Sequence, residues 1–203
     1  MVVTPSFLAA RPRPERKYLR PPTPIHFPES EEMPETGVHL ELRTALYLLV
    51  RDFVGERGAV GSEQFVYWDP SDPRRCLSPD LLVRMGAAPG PFRTWKTWER
   101  GAPHLAVEVV SDSDASEADW QEKLSAYRKS GINEIVRFDP EDGERPLRLW
   151  DRFDGDLVER ELVGEHALLC DALGQTLVPT EIERERAAAA ERIAELEAEL
   201  RRR

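Results

Sequence analysis

A single mixed-sheet α/β domain is the fold class this sequence predicts, on three observations. Two stretches carry apolar residues at spacings of three and four: Leu40, Leu42, Leu46, Leu49, Val50, Phe53 and Val54, then Trp120, Leu124 and Tyr127. Between and after them lie short β-branched or aromatic runs at 64–68, 80–85, 104–110 and 135–138. Asp-Pro pairs and glycines punctuate these runs, as turns require. The order that results is helix, three strands, helix, strand, or αβββαβ. A β-hairpin and a charged C-terminal helix follow.

With 203 residues and 40% apolar content, the chain can fill one sizeable core plus appendages. The expected division is an extended arm over 1–34, the domain over 35–179 and a charged helix over 180–203. The arm carries eight prolines (Pro5, Pro12, Pro14, Pro21, Pro22, Pro24, Pro28 and Pro34) and no apolar period.

Thr36 is placed to cap the first helix, which carries His39 and Glu41 in its first turn. The helix dipole alone favours a glutamate there. Gln64 to Trp68 reads as the first strand and Asp80 to Met85 as the second. The loop after Gly86 interleaves Arg93, Trp95, Lys96, Trp98 and Arg100. Such a set can stack on bases and hold phosphates, or its tryptophans can fold back as a lid on the core.

In the third strand, His104 to Val110, Leu105, Val107 and Val109 share one face, and Ala106, Glu108 and Val110 the other. The second helix spans Glu117 to Ser130 and stops at Gly131. Lys123 stands four residues from Asp119 and from Tyr127, beside the packing stripe. Ile135 to Phe138 forms the fourth strand, and Leu147 to Phe153 with Leu157 to Leu162 make the hairpin around Asp154-Gly155. Beyond Pro179, Ile182, Ala189, Ile193, Leu196 and Leu200 fit an a/d seam. It reads either as a dimerisation helix, making the chain a homodimer, or as a charged tail.

A net charge of −10 excludes a protein that coats nucleic acid through a broad basic surface. Contact with a phosphate backbone must be local or assisted by metal. Cys76 and Cys170 have no paired spacing, no run is long enough to cross a membrane, and Met1 to Arg20 does not read as a signal peptide. The expected location is cytoplasmic.

Glu108 is the anomaly in this pattern. A carboxylate inside an apolar strand costs several kcal/mol unless a cation meets it. Paired with Asp80 on a neighbouring strand, it forms the hard-oxygen set that Mg²⁺ or Mn²⁺ prefers, and the Val109 carbonyl can add an oxygen. A nearby lysine, Lys123, can orient a water and stabilise negative charge. The structural alternative is a plain Lys123–Glu108 salt bridge. His104 and His166 have no partner at metal spacing.

Pro79-Asp80, Glu108-Val109-Val110-Ser111, Asp119, Lys123, Tyr127 and Gly131-Ile132-Asn133-Glu134 together resemble the Uma family of restriction-endonuclease-like proteins, a branch of the PD-(D/E)XK nuclease superfamily. The likeness covers about residues 34 to 140. It implies a restriction-endonuclease-like core and a metal-dependent endonuclease that hydrolyses DNA phosphodiester bonds, with Asp80 and Glu108 as metal ligands. The alternative is a catalytically silent member that binds nucleic acid or a protein partner. The superfamily's strand lysine falls on Val110, which cannot serve, and the family's helix lysine falls on Lys123. Asp112 and Asp114 replace the family's Ser-Pro-Ser, and can bind a second ion or repel a phosphate. An acid from the first helix completes many superfamily sites, which makes Glu41 a candidate and His39 its rival.

Overall fold

The computed structural model describes residues 25–27, 37–111, 116–161 and 168–178, with single positions and short pieces of the tail between 182 and 202. Thr36, most of the proline-rich arm, Asp112, Asp114, His166 and most of the a/d seam lie outside the described residues.

Helix α1 runs Gly37–Val54 and a short 3₁₀ turn leads into β1, Gly58–Gly61. Then follow β2 (Val66–Tyr67), β3 (Cys76–Leu77), β4 (Leu81–Met85), β5 (Trp95–Lys96), α2 (Thr97–Arg100), β6 (Leu105–Val109) and α3 (Glu117–Ser130). The chain continues through β7 (Glu134–Phe138), β8 (Leu147–Phe153), β9 (Asp156–Glu159), β10 (Leu168–Cys170) and β11 (Gln175–Leu177).

The main sheet has the order β1-β4-β6-β7-β8-β9. Within this sheet only β6 and β7 run parallel, and α3 is the crossover that a parallel pair needs. Alternation sends Leu81, Val83, Leu105, Val107, Val109, Val136 and Phe138 to one face, where they pack with Leu42, Leu46, Val50 and Val54 of α1. The opposite set, Leu82, Ala106, Ile135 and Trp150, packs under Trp120, Leu124 and Tyr127 of α3. Each helix therefore covers one face of the central strands. Ser116 caps α3 by accepting from the Asp119 N–H at 3.2 Å, and Gly131 ends the helix at φ +82°.

The structure corrects the first strand. The sheet neighbour of β4 is β1, Gly58-Ala59-Val60-Gly61, whose two glycines read as turn. Only Val66–Tyr67 of the 64–68 run is strand, and it belongs to a separate three-stranded sheet, β3-β2-β5. The glycines are required here: a Cβ on Gly58 would lie 2.6 Å from the Arg84 carbonyl oxygen, and one on Gly61 would lie 2.4 Å from the Phe92 ring.

The aromatic loop folds back. Trp95 is fully buried and its indole N–H donates to the Gly101 carbonyl at 2.8 Å. Part of the arm is packed as well: the Phe27 ring lies 4.9 Å from Tyr67 and 5.8 Å from Trp98. In the tail, Ile182 is buried in the α1-side core, so the first seam position packs within its own chain.

Candidate active site

The site forms where β4 begins and β6 ends. Leu81 stands opposite Val107 in the antiparallel register, so one further step sets Asp80 opposite Glu108 on the same face. Asp80 is held there because its Oδ2 accepts the Val109 N–H at 2.8 Å. That bond also leaves the Val109 carbonyl beside the acids.

Glu108 is 2% exposed, and side chains rather than backbone meet its charge. Lys123 Nζ lies 2.9 Å from Oε2, and the Tyr127 hydroxyl donates to Oε1. Both donors come from one face of α3, as their i,i+4 spacing requires. Burial pushes the Glu108 carboxyl up to about 7; Lys123 pulls it down, and Asp80 beside it pushes it up again. Lys123 is the solvent-facing member, with its side chain 31% exposed.

Each expected residue has a definite place. Asp80, Glu108, the Val109 carbonyl and Lys123 are brought together. Glu41 is turned away: its Oε2 lies 3.8 Å from Arg186 Nε and its side chain is half exposed. The residue that α1 contributes is His39, whose Nε2 lies 3.0 Å from the Val109 oxygen and 3.4 Å from Asp80 Oδ2. Two positions apart on a helix means about 200° of rotation, so the two side chains cannot face the same way. His104 is structural: its ring meets the Met85 N–H at 3.2 Å and Arg84 Nη1 at 2.9 Å.

Two residues of the neighbourhood were not singled out for the site from sequence. Tyr127 reads as core, yet its hydroxyl reaches the buried acid. Arg137 stands opposite Glu108 in the β6–β7 register and is 6% exposed. Its guanidinium lies 3.3 Å from Asp139 and 5.6 Å from the Trp120 ring centre. The signal was the same as for Glu108, a charge inside an apolar strand.

The oxygens here are hard donors of the kind magnesium takes. Among the described residues no three His, Cys, Asp or Glu side chains form a ready-made metal cluster. Two carboxylates and a carbonyl nevertheless suffice for an ion that keeps several waters. The mutual repulsion of Asp80 and Glu108 is also of the sign a cation would relieve.

A mixed central sheet with α1 on one face and the α3 crossover on the other is the arrangement of a restriction-endonuclease-like protein. A family model described as "Uma2: Putative restriction endonuclease" matches residues 29–178, and the chain belongs to that family. The chain is also similar to a crystal structure described as a "putative nuclease belonging to DUF820" from Anabaena variabilis ATCC 29413. That likeness is 13% identity over 76% of this chain and 84% of the other, with a TM-score of 0.46. No curated protein matches. Among the described residues no helix is long and apolar enough to cross a membrane.

Proposed function

We propose that this protein is a metal-dependent endonuclease that hydrolyses DNA phosphodiester bonds. The observation that carries the reading is the facing pair Asp80 and Glu108 at one register position, with the solvent-facing donor to Glu108 being an amine. Asp80, Glu108 and the Val109 carbonyl would hold Mg²⁺ or Mn²⁺, which when bound would supply positive charge beside the phosphate and a more acidic water.

The residues of the chain do the rest. Asp80 is fixed by the Val109 N–H and so needs no reorganisation to present its second oxygen. Lys123 is partly exposed, so its ammonium could turn from Glu108 to the attacking water and the phosphate oxygens, where it would orient the one and offset the charge of the other. Tyr127 keeps the other Glu108 oxygen in place. His39 braces the Asp80–Val109 corner from α1. Plasmid nicking in Mg²⁺ and in Mn²⁺ tests the reading. Wild type converts supercoiled to open-circular DNA, and Asp80→Ala and Glu108→Ala do not. Equal nicking by all three proteins would assign it to a contaminant.

One observation favours a second reading. Both Glu108 oxygens already have partners, and Val110 stands where the superfamily carries its strand lysine. A closed Lys123–Glu108 pair needs no metal, as in a silent nuclease-fold protein that binds nucleic acid or a partner and dimerises through its C-terminal helix. Absence of nicking together with retained DNA binding would select it.

A further inference from the structure

Helix α1 carries a second pattern besides its apolar stripe. His39, Arg43, Tyr47 and Arg51 follow one another at intervals of four, which forms one ridge along the helix. The first of them touches Asp80 at the candidate active site. The other three line a groove of about 640 Å³ that starts one helical turn further on. Its floor is β1, and its far wall is the Pro89-Gly90-Pro91-Phe92 loop.

We infer that this groove seats the nucleic-acid strand next to the cleaved phosphodiester, with phosphates on Arg43 and Arg51 and a base against Phe92. The inference rests on the nuclease reading above and deepens it. Charge is the first argument. In a chain of net charge −10, a walled groove with two arginines reaching it from one helix ridge is a local exception. Glu56 lines the groove too, and Glu63 pairs with Arg43 at 2.5 Å. The Glu63 side chain is 52% exposed and that of Arg43 10%, so the acid is the partner that faces solvent and the one a phosphate would displace.

Spacing is the second argument. Arg43 and Arg51 are eight residues apart, about 12 Å of helix, which spans three to four nucleotides at about 3.4 Å of rise. The Arg51 guanidinium lies 5.3 Å from the centre of the Tyr47 ring, a contact that favours its lying along the ridge.

The third argument is the ring opposite. Phe92 packs edge-on to Trp95 at 5.0 Å and has the Arg100 guanidinium 5.4 Å away. It is only partly buried, and it can lie over β1 because position 61 has no Cβ. A fixed, partly exposed ring beside arginines is a stacking platform for a base. The floor adds the Ser62 hydroxyl and the Gln64 side chain.

The test uses full-length protein carrying Asp80→Asn, which keeps the shape of the site and stops cleavage. Fluorescein-labelled oligothymidine is titrated by anisotropy at several salt concentrations. Adding Arg51→Glu should lower the slope of log affinity against log salt by about 1, and Phe92→Ala should weaken binding by roughly fivefold or more. Lys129→Glu, the same charge reversal on the exposed end of α3, should leave the site-dependent part of binding unchanged. In the cleaving protein, Arg51→Glu should raise KM and leave kcat. Melting curves check that Phe92→Ala folds; Arg51 is exposed, and its variant carries the test alone if Phe92→Ala does not.

Unchanged binding and KM in Arg51→Glu and Phe92→Ala, with cleavage intact in the parent, would overturn the groove and leave the nuclease reading standing. A protein that neither binds nor cuts any oligonucleotide overturns both. A shift from dimer to monomer in Arg51→Glu with oligonucleotide binding unchanged would give the groove to a second copy of the chain and also overturn the inference.

Discussion

The two ends of the central strand pair each bury a glutamate, and the two are held in opposite ways. Glu134, at the start of β7, is 5% exposed and accepts from the Asp171 and Ala172 N–H groups at 2.9 and 2.6 Å. The Cys170 thiol at 3.2 Å and Arg160 at 3.3 Å complete its shell. Backbone donors cannot swing away, so this acid is a clamp that fastens the turn after β10 to the sheet. Glu108, near the end of β6, is as deeply buried but is met by an amine and a hydroxyl on α3. Those partners can move, and a second acid stands beside it. The lesson is that a buried carboxylate identifies a site only when its partners are exchangeable.

The sharpest way to break this contrast is to remove one acid from each end. Asp80→Ala and Glu108→Ala should lose on the order of a hundredfold or more of nicking rate. Glu134→Gln should nick at the wild-type rate and instead lose about 1–3 kcal/mol of stability in denaturant melts, because its donors are left badly matched. If Glu134→Gln lost the nicking and Glu108→Ala only the stability, the two roles would be reversed. Next in size, Lys123→Ala should slow nicking by about a hundredfold with metal affinity retained, if its role is the proposed one toward water and phosphate.

The end that holds Glu108 was legible in the sequence, and the reasons are physical. A glutamate among Leu105, Ala106, Val107 and Val109 has nowhere uncharged to go, and Lys123 lies one helical turn from Tyr127 on the stripe that must cover it. The two acids suit one ion only if their strands are neighbours, and the β4–β6 pairing meets that condition. What stayed hidden depended on rotation and on closeness of backbone. Choosing His39 over Glu41 needs the roll of α1, which its apolar stripe leaves uncertain by a residue. The strand 58–61 is half glycine, and its role as the sheet edge comes from close approach to Arg84 and Phe92 rather than from β propensity. Arg137 carries the same signal as Glu108, a charge inside an apolar strand, and its partner, Asp139, lies just outside that strand.

Protonation sharpens the contrast further. Burial first, with Asp80 adding to it, holds the folded Glu108 pKa at about 7, above its ordinary 4.5. The native state therefore binds this proton more tightly than the unfolded chain. Its contribution to stability is present below about pH 4.5 and is lost as pH rises through about 7. In metal-free protein, the melting temperature should fall across that window, and Glu108→Gln should flatten this part of the profile. Mn²⁺ affinity should run the other way, rising with pH to about 7 and then levelling, because the ion competes with that proton. The smallest effect is expected from Tyr127→Phe: about 1 kcal/mol of stability, with the Glu108 titration moved upward, read by the same pH series of melts.

Calorimetric titration of Mn²⁺ at pH 8 asks most directly whether Asp80 and Glu108 share one ion. Wild type should bind one ion per chain, Asp80→Ala and Glu108→Ala should each lose that heat, and Glu134→Gln should keep it. Equal binding by wild type and both active-site variants, or none by wild type, would contradict the shared site and leave Lys123–Glu108 as a structural ion pair.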